Sequence, residues 1–364
     1  GGSGRVIPPT VVTVLNGITK RVQHATIITS ISDNVNDAIT VSNNADVVLT
    51  CGGATTSEDR DRDSLKLQEE DFLVQLSSGV NSKPIVVILM IPGAVTLPFL
   101  SNVHSVMAIF LAGQHTGDAI AANLFGDHIP SAKSPVTFPV SESDMTEPCS
   151  VGTSCDYTEG RFVGYRALED VSVNFAFGHG LSYTNFTYSW IREPTLKSDN
   201  VVVMEISVTC DSEDAVEVVQ LYFRDDGDDE PIQLKGYEHT HGRTNRIVFE
   251  LTLDHDLAHF DVLEWKWKRP ESKSVLKFYV GSSSRDIRLT SQILYDLDNN
   301  SSSGIVVAIA VTLSVLVSLV LIVYLISRTN FFMQKLDGGA GKFKVMIEDV
   351  DEVSESSNNS NGSE

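Results

Sequence analysis

The chain has 364 residues, of which 42% are aliphatic, aromatic or Cys and 21% are charged, a composition that excludes a wholly disordered, collagen-like or coiled-coil protein. The formal net charge of −21 argues against a nucleic-acid partner, because binding phosphates requires a basic face. Four cysteines are too few to build a scaffold held by disulfides.

Strand-like and helical segments alternate in the first half of the chain. Four short apolar runs rich in β-branched residues predict strands, and the segments between them show helical spacing of apolar positions. Continuous apolar strands separated by helices indicate an open, mostly parallel sheet covered by helices on both faces. We therefore predict an α/β domain over residues 1–190. The predicted strands are 25–30, 45–52, 85–91 and 105–111, and the predicted helices are 34–44, 65–78 and 117–125.

The second half of the chain lacks helical spacing. Six apolar or alternating runs separated by turn residues predict a β-sandwich over residues 197–291, with Glu193-Pro194 as the hinge before it. The predicted strands are 201–210, 215–223, 232–238, 246–253, 275–280 and 287–290.

A long apolar segment near the C-terminus predicts a membrane anchor. Residues 304–327 contain no charge and no proline, and about 20 helical residues cross the ~30 Å hydrocarbon core. Lys and Arg are absent from residues 289–303, whereas four of them follow the segment within residues 328–344. The positive-inside rule then predicts a single-pass protein with residues 1–303 outside the cell or in a lumen. The remainder, 328–364, is predicted to be a disordered cytoplasmic tail.

On the predicted outer side, N-glycosylation and disulfide formation can both occur. Asn185 and Asn300 begin N-glycosylation sequons on the predicted outer side. Cys149 and Cys155 lie in a loop rich in Ser, Thr, Pro and Gly, where they are candidates for a disulfide in an oxidising compartment.

The most charged loop of the first half, residues 56–63, directly follows the predicted strand that ends near Gly53. Ligand sites of open α/β sheets lie beyond the carboxyl ends of the strands, but a charged loop is also typical of a solvated surface. His115 and His179 are isolated in the sequence and are interpreted as structural or surface residues, not metal ligands. No nucleophile-elbow, phosphate-loop or dinucleotide motif occurs, so no cofactor is predicted.

Several stretches together resemble glycoside hydrolase family 3, the group of β-glucosidases, β-xylosidases and exo-glucanases. They follow one another in the family's order over about residues 1–290, and the later ones resemble the fibronectin-III-like module found in many members. The stretches are GGSGRVIPPTVVTVLNGI (1–18), ADVVLTCGG (45–53), SEDRDRDSLKL (57–67), VVILMIPGAVTLPFL (86–100), AGQHTGDAIAANLFGDHIPSAKSPVTFP (112–139), EGRFVGYRALE (159–169), FAFGHGLSYTNFTY (175–188), VEVVQLYFRDD, EPIQLKGYE and VGSSSRDI.

The resemblance implies a retaining exo-glycosidase whose Asp nucleophile lies on a separate N-terminal TIM barrel. The family's acid/base is commonly a Glu in a loop of the form Glu-x-x-Asp-Arg, which residues 58–62 match. Glu58 is therefore the candidate acid/base, and Asp61 and Arg62 are expected to support the loop. Asp59 departs from the pattern, since a small Gly is frequent there.

The Ser-Asp-Trp-like nucleophile motif, the barrel and the first strand of the α/β domain are not recognisable in this chain. We therefore expect it to be the C-terminal part of a membrane-anchored hydrolase of β-linked glycosides or oligosaccharides, inactive without its barrel. The alternative is a non-catalytic surface protein derived from this family that binds glycans or another cell. A third interpretation makes the β-sandwich only a stabilising spacer.

Overall fold

The computed structural model describes residues 6–22, 24–30, 34–58, 60–147, 149, 154–197, 200–226 and 231–296, and the backbone of a strand at 343–347. These residues form two compact units. The first comprises the described residues up to Phe125 together with strand 343–347, and the second begins at Gly126.

The first unit is the predicted α/β domain, built on a five-stranded sheet in which every pairing is parallel. Its strand order is β1-β16-β2-β3-β4. Its strands are β1 (Ala25–Thr29), β2 (Val47–Gly53), β3 (Ile85–Met90), β4 (Ser105–Ala108) and β16 (Phe343–Ile347), and its helices are α1 (Val14–Arg21), α2 (Val35–Asn43), α3 (Glu70–Gly79) and α4 (Thr116–Leu124).

Both faces of this sheet are covered, as parallel sheets require. Six consecutive residues of β2 are buried, although their side chains alternate between the two faces. On one face Cys51 clusters with Ile88 and with Ile120 of α4. On the opposite face Gly52 lies against Leu73 of α3. The prediction of strands buried on both sides is therefore confirmed for β2 and β3, whereas β1 and β4 are partly exposed.

Helices α1 and α4 approach each other through glycines. A Cβ placed on Gly117 would lie 1.9 Å from the carbonyl oxygen of Thr13, and one placed on Gly17 would lie 2.0 Å from the carbonyl oxygen of Gly117. The approach allows the Gly117 amide to donate a 3.0 Å hydrogen bond to the Val12 carbonyl. Helix α1, which the sequence did not predict, begins at the Thr13 cap, whose side chain accepts a hydrogen bond from the amide of Asn16.

Strand β16 lies between β1 and β2 and is parallel to both, pairing Phe343 with Ala25 and Val345 with Val47. Doubly wound sheets commonly place the first strand between the second and third, and β16 occupies that position here. Residues 343–347 thus differ from the prediction of a disordered tail over 328–364. The physical reason is that the position between β1 and β2 offers backbone hydrogen-bond partners on both sides to a short, mostly apolar segment.

The second unit is an antiparallel β-sandwich with an irregular segment packed on it. One sheet has the order β10-β9-β14-β15 and the other β11-β8-β7, and both contribute to a single apolar core. The strands are β5 (Phe138–Pro139), β6 (Val173–Phe175), β7 (Thr187–Leu196), β8 (Val201–Thr209), β9 (Val218–Asp225), β10 (Gln233–His239), β11 (Thr244–Thr252), β12 (His259–Asp261), β13 (Lys266–Lys268), β14 (Ser274–Gly281) and β15 (Ile287–Tyr295).

The predicted hinge at Glu193-Pro194 is wrong, because both residues lie inside β7. The register with β8 shifts between Arg192 and Thr195, so the ladder skips Pro194 at an irregularity. Strand β7 lies at the edge of its sheet, where a residue without an N–H is tolerated. The sandwich accordingly begins ten residues earlier than predicted.

The boundary between the units also differs from the predicted one near residue 190. Residues 126–186 pack on the sandwich through buried polar contacts. Lys133 and Glu217 form an ion pair of 2.8 Å whose side chains are 11% and 4% exposed. The buried Gln220 amide donates to the carbonyls of Gly178 and Ser282 at 3.1 and 2.7 Å. Groups this buried require partners, which the segment supplies.

Within the described residues, no helix has the length and apolar character needed to cross a bilayer. The predicted span, 304–327, lies outside those residues.

The substitution Gly117→Ala should destabilise the first unit by roughly 3 kcal/mol, because the added methyl meets backbone atoms that cannot rotate away. Urea unfolding followed by circular dichroism measures this change. Gly113→Ala is the matched control, because no atom lies within 4 Å of its added Cβ. Equal midpoints for the two variants would show that the α1–α4 contact does not require glycine.

Candidate active site

The carboxyl ends of β2, β3 and β4 lie along one edge of the parallel sheet, where chain segments leave the strands toward the helices. The first of these segments, residues 54–69, contains the charged loop singled out in the sequence. It connects the end of β2 to the start of α3. Parallel sheets bind ligands at this edge, so the fold places the charged loop where a site is expected.

The base of this loop is fixed to the strand ends by three hydrogen bonds. The amide of Gly53 donates to the Glu69 carboxylate at 3.0 Å, and the amide of Gln68 donates to the Gly53 carbonyl at 3.0 Å. The amide of Ala54 donates to the carbonyl of Met90, at the end of the neighbouring strand, at 3.1 Å. The loop thus leaves and rejoins the sheet edge at nearly the same point.

The second half of the loop is attached to the segment that follows β3. Arg62 donates through Nη2 to the carbonyl of Ala94 at 2.9 Å. The amide of Thr96 donates to the carbonyl of Leu65 at 3.0 Å, and its hydroxyl donates to Glu70 Oε2 at 2.9 Å. Arg62 thereby joins the charged loop to the segment that follows β3.

Glu58 lies at the tip of the loop. Ser57 and Arg60 form an antiparallel bridge, so Glu58 is in the tight turn between them. Its side chain and that of Asp61 are exposed. The structure therefore combines a fixed base with a carboxylate at the tip that faces solvent in this chain. An exposed carboxylate can meet a partner surface, but a proton donor near neutral pH requires additional burial or a neighbouring negative charge.

A second polar cluster follows β4 at the start of α4. His115 Nδ1 lies 3.0 Å from Asp118 Oδ2, and Lys20 of α1 lies 3.3 Å from Asp118 Oδ1. The hydrogen bond with His115, assisted by Lys20, holds the pKa of Asp118 below its usual value. Gln114 contacts the other ring nitrogen of His115 at 3.2 Å. This arrangement fixes the His115 ring beside the helix start, which agrees with its interpretation as a structural or surface residue.

His179 is half-buried and stacks on Phe175 with ring centroids 5.2 Å apart. Burial, followed by the Lys133 ammonium, lowers the pKa of its imidazole. Among the described residues, no group of three or more His, Cys, Asp or Glu side chains is arranged to hold a metal ion.

The remaining sequence candidates belong to the second unit or lie outside the described residues. Cys149 and Cys155 are joined in a disulfide with their Cα atoms 6.1 Å apart. Asn185 is exposed in the turn that precedes β7, where a glycan can be attached. Asn300 lies outside the described residues.

Sequence reasoning missed two residues of the loop base, Glu69 and Glu70. Both are at the start of α3, where acidic residues are favoured by the helix dipole. Their position at the helix start was the only signal in the sequence. It does not reveal that Glu69 accepts a hydrogen bond from the last residue of β2 and Glu70 accepts one from the segment after β3.

Comparison with known proteins identifies relatives of this fold. Residues 1–183 match the glycosyl hydrolase family 3 C-terminal domain. The chain is 32% identical over 329 residues to probable beta-glucosidase L of Emericella nidulans, covering 79% of this chain and 44% of that protein. It is 31% identical over 278 residues to thermostable beta-glucosidase B of Acetivibrio thermocellus, covering 71% and 36%.

Solved structures show the same similarity. The crystal structure of a beta-D-glucoside glucohydrolase from Trichoderma reesei superposes with a TM-score of 0.70 at 27% identity, covering 81% of this chain and 46% of that chain. The chain therefore spans less than half the length of these relatives.

Removing the Arg62 guanidinium should loosen the charged loop without unfolding the domain. In Arg62→Ala, hydrogen exchange of the Thr96 amide, which bonds the loop at Leu65, should accelerate about tenfold, equivalent to ~1.4 kcal/mol. Arg60→Ala is the control, because its pair with Asp63 is exposed and such pairs contribute little. Unchanged protection in Arg62→Ala would mean that the loop is held without this contact.

Proposed function

Because this chain belongs to glycosyl hydrolase family 3, we propose that it is the C-terminal part of a retaining exo-β-glycosidase and that Glu58 is the acid/base residue of that enzyme. The observation that carries the proposal is the loop itself. A carboxylate stands at the tip of a turn whose base is tied to two strand ends by Gly53 and Ala54 and to the next loop by Arg62.

A retaining glycosidase needs two carboxyl groups about 5 Å apart, one as nucleophile and one as acid and base. In the first step Glu58 donates its proton to the glycosidic oxygen while the nucleophilic Asp forms an ester with the anomeric carbon. In the second step Glu58 takes a proton from the water that attacks this ester. The nucleophile is proposed to come from an N-terminal barrel domain of the longer protein.

Glu58 faces solvent in this chain, so the barrel is proposed to cover the loop tip as well as to supply the nucleophile. Covering the loop tip removes water from the carboxyl group and brings the nucleophile's negative charge close to it. Both effects raise a carboxyl pKa toward the range in which it can donate a proton at neutral pH. This chain alone is then inactive, because it holds one of the two carboxylates and leaves it solvated.

The relatives named as beta-glucosidases support a β-linked glucoside as the substrate class, and a β-xyloside is the alternative. The β-sandwich of seven main strands in two sheets supports the interpretation of residues 187–295 as a fibronectin-III-like module.

Glu58→Gln in the barrel-containing protein should slow hydrolysis of alkyl β-glucosides by at least 10³-fold, while aryl glucosides with good leaving groups lose much less activity. The amide cannot protonate the leaving oxygen, and activated aryl groups hardly need that proton. The alkaline limb of the kcat/KM profile should also disappear, because Glu58 is its source. Initial rates on both substrate classes across pH measure these effects.

Asp61→Asn is the matched control, since it removes a neighbouring exposed carboxylate of the same loop. A small azide anion should restore turnover of activated aryl glucosides in Glu58→Gln, because these substrates still form the glycosyl ester and azide attacks that ester without needing a base. Slight, equal losses on both substrate classes would remove Glu58 from the mechanism and assign proton transfer to another group. Absence of hydrolysis by the unmodified barrel-containing protein would favour the non-catalytic, glycan-binding role.

The proposed enzyme is anchored by residues 304–327, with its catalytic part outside the cell or in a lumen. The uninterrupted apolar sequence and the basic residues after it support this orientation. Such an anchor would place residues 343–347 on the opposite side of the membrane from β1 and β2, the strands that flank β16 in the sheet. The anchored topology and the pairing of β16 with these strands therefore exclude each other within one chain.

Synthesis into sealed microsomes tests the anchor. External protease should remove the tail after residue 328. Asn185→Gln should lower the apparent mass of the chain by that of one N-linked glycan and leave the protease pattern unchanged. A tail that resists protease until detergent is added would place β16 and its sheet on the same side and would contradict the anchored topology.

A further inference from the structure

The β12–β13 hairpin presents an unusual apolar surface. Within residues 259–268, here called the aromatic hairpin, Val262, Leu263, Trp265 and Trp267 are 72%, 93%, 78% and 66% exposed. Single exposed apolar residues are common on protein surfaces, but four within six positions form a patch. Such a patch usually marks a contact with a partner or a membrane.

The hairpin is held in one conformation by its polar residues. Asp261 accepts hydrogen bonds from the amides of Leu263 and Glu264 at 2.8 and 2.9 Å, which fixes the turn. The hydrogen bond from Lys268, with those from the amides, lowers the pKa of Asp261 to about 2. The turn therefore keeps its ionised cap throughout the physiological pH range.

The indole rings are also fixed. Phe260 makes edge contacts with Trp265 and Trp267 at centroid distances of 5.3 and 5.6 Å. Trp265 has a φ of 54°, a backbone conformation that is rare for a bulky residue. Such conformations persist where the surroundings impose them, and they are common at binding sites.

The charges around these side chains compensate one another. Lys268 pairs with Asp261 and Glu264, and Lys266 pairs with Glu264, all at 2.5–2.6 Å. Two acids and two bases give the tip no net charge, although the chain carries −21. The tip can therefore approach an anionic or neutral surface without the repulsion that the rest of the chain experiences.

The hairpin lies at the end of the sandwich from which the chain leaves toward residue 304. Four residues after Lys268, the Ser272 hydroxyl donates to Asp296 at 3.5 Å, and the amide of Lys273 donates to the carbonyl of Tyr295. Four residues span at most about 14 Å, and the eight from Asp296 to Gly304 span at most about 28 Å. The hairpin and the chain that leads toward residues 304–327 therefore share one end of the sandwich, and the linker is long enough to let both reach the same membrane.

We propose that the aromatic hairpin inserts Val262, Leu263, Trp265 and Trp267 into the interface of the bilayer that carries the anchor, orienting the sandwich on the membrane. This inference rests on the anchor proposed above. Tryptophan favours the headgroup level because one side of the indole is apolar and its N–H is polar. The most exposed residue is the aliphatic Leu263, which suits acyl chains better than a glycan, since sugars stack on aromatic rings.

The three tryptophans of the chain provide the readout, because two are in the hairpin and the third, Trp190, is in β7. The full chain is reconstituted in phosphatidylcholine vesicles with or without bromine on the acyl chains, which quenches nearby indoles. Trp190→Phe retains only the hairpin indoles, and its emission should fall at least twofold in brominated vesicles. The matched control, Trp265→Phe/Trp267→Phe, should change by less than a tenth.

A third variant, Val262→Ser/Leu263→Ser in the Trp190→Phe background, should lose most of the quenching although both indoles remain. The unmodified chain should also lose about a third or more of its emission, because two of its three indoles are quenched at least twofold, so the result does not depend on whether a variant folds.

Vesicle flotation after alkaline extraction separates this proposal from the anchor. Flotation with unquenched hairpin indoles overturns the hairpin proposal, and it is also the result expected if the patch binds a glycan or a protein instead. Quenching without alkali-resistant flotation supports the hairpin and overturns the anchor. If the hairpin indoles are not quenched and the chain does not float, both proposals are overturned.

Discussion

The second unit depends on one buried amide, that of Gln220. Its Nε2 donates to the carbonyl of Gly178, which precedes it in the chain, and to that of Ser282, which follows it. Its Oε1 accepts from the Tyr222 hydroxyl. Leaving any of these buried groups without a partner costs about 1–3 kcal/mol. Gly178 has a φ of 78°, and a Cβ there would lie 2.1 Å from Gln220 Oε1, so the amide and the glycine specify each other. This constraint explains why the irregular segment belongs with the sandwich.

Much of the fold was predictable because it depends on local spacing. The strands β1 to β4 and the helices α2 to α4 were found near their true positions from apolar runs alone. The unit boundary was not, since the contacts that set it join residues far apart, such as Lys133 and Glu217. Pro194 was misleading for a related reason. It is a turn residue by composition, but an edge strand with an irregular register tolerates it.

The candidate site was located by the family pattern around Glu58 and by its position after a buried strand. Its supports were less accessible from sequence. Arg62 donates to a backbone carbonyl 32 residues away. Every residue has such a carbonyl, so the residue type does not indicate which one accepts. The same holds for the contact of Lys20 with Asp118, 98 residues apart, because neither spacing nor charge pattern indicates that α1 and α4 pack together. Sequence therefore identified the group that could act, whereas only the structure identified what holds it.

The place of β16 has a consequence for how the chain reaches its fold. Val345 and Phe343, the partners of Val47 and Ala25, emerge from the ribosome about 300 residues after them. Until then the two inner strand edges carry open amides and carbonyls, which are surfaces prone to pair with other chains. Pairings so distant in sequence also form slowly. A nascent or truncated chain that ends before residue 343 should thus need a chaperone, or a strand from elsewhere, to keep its sheet from aggregating.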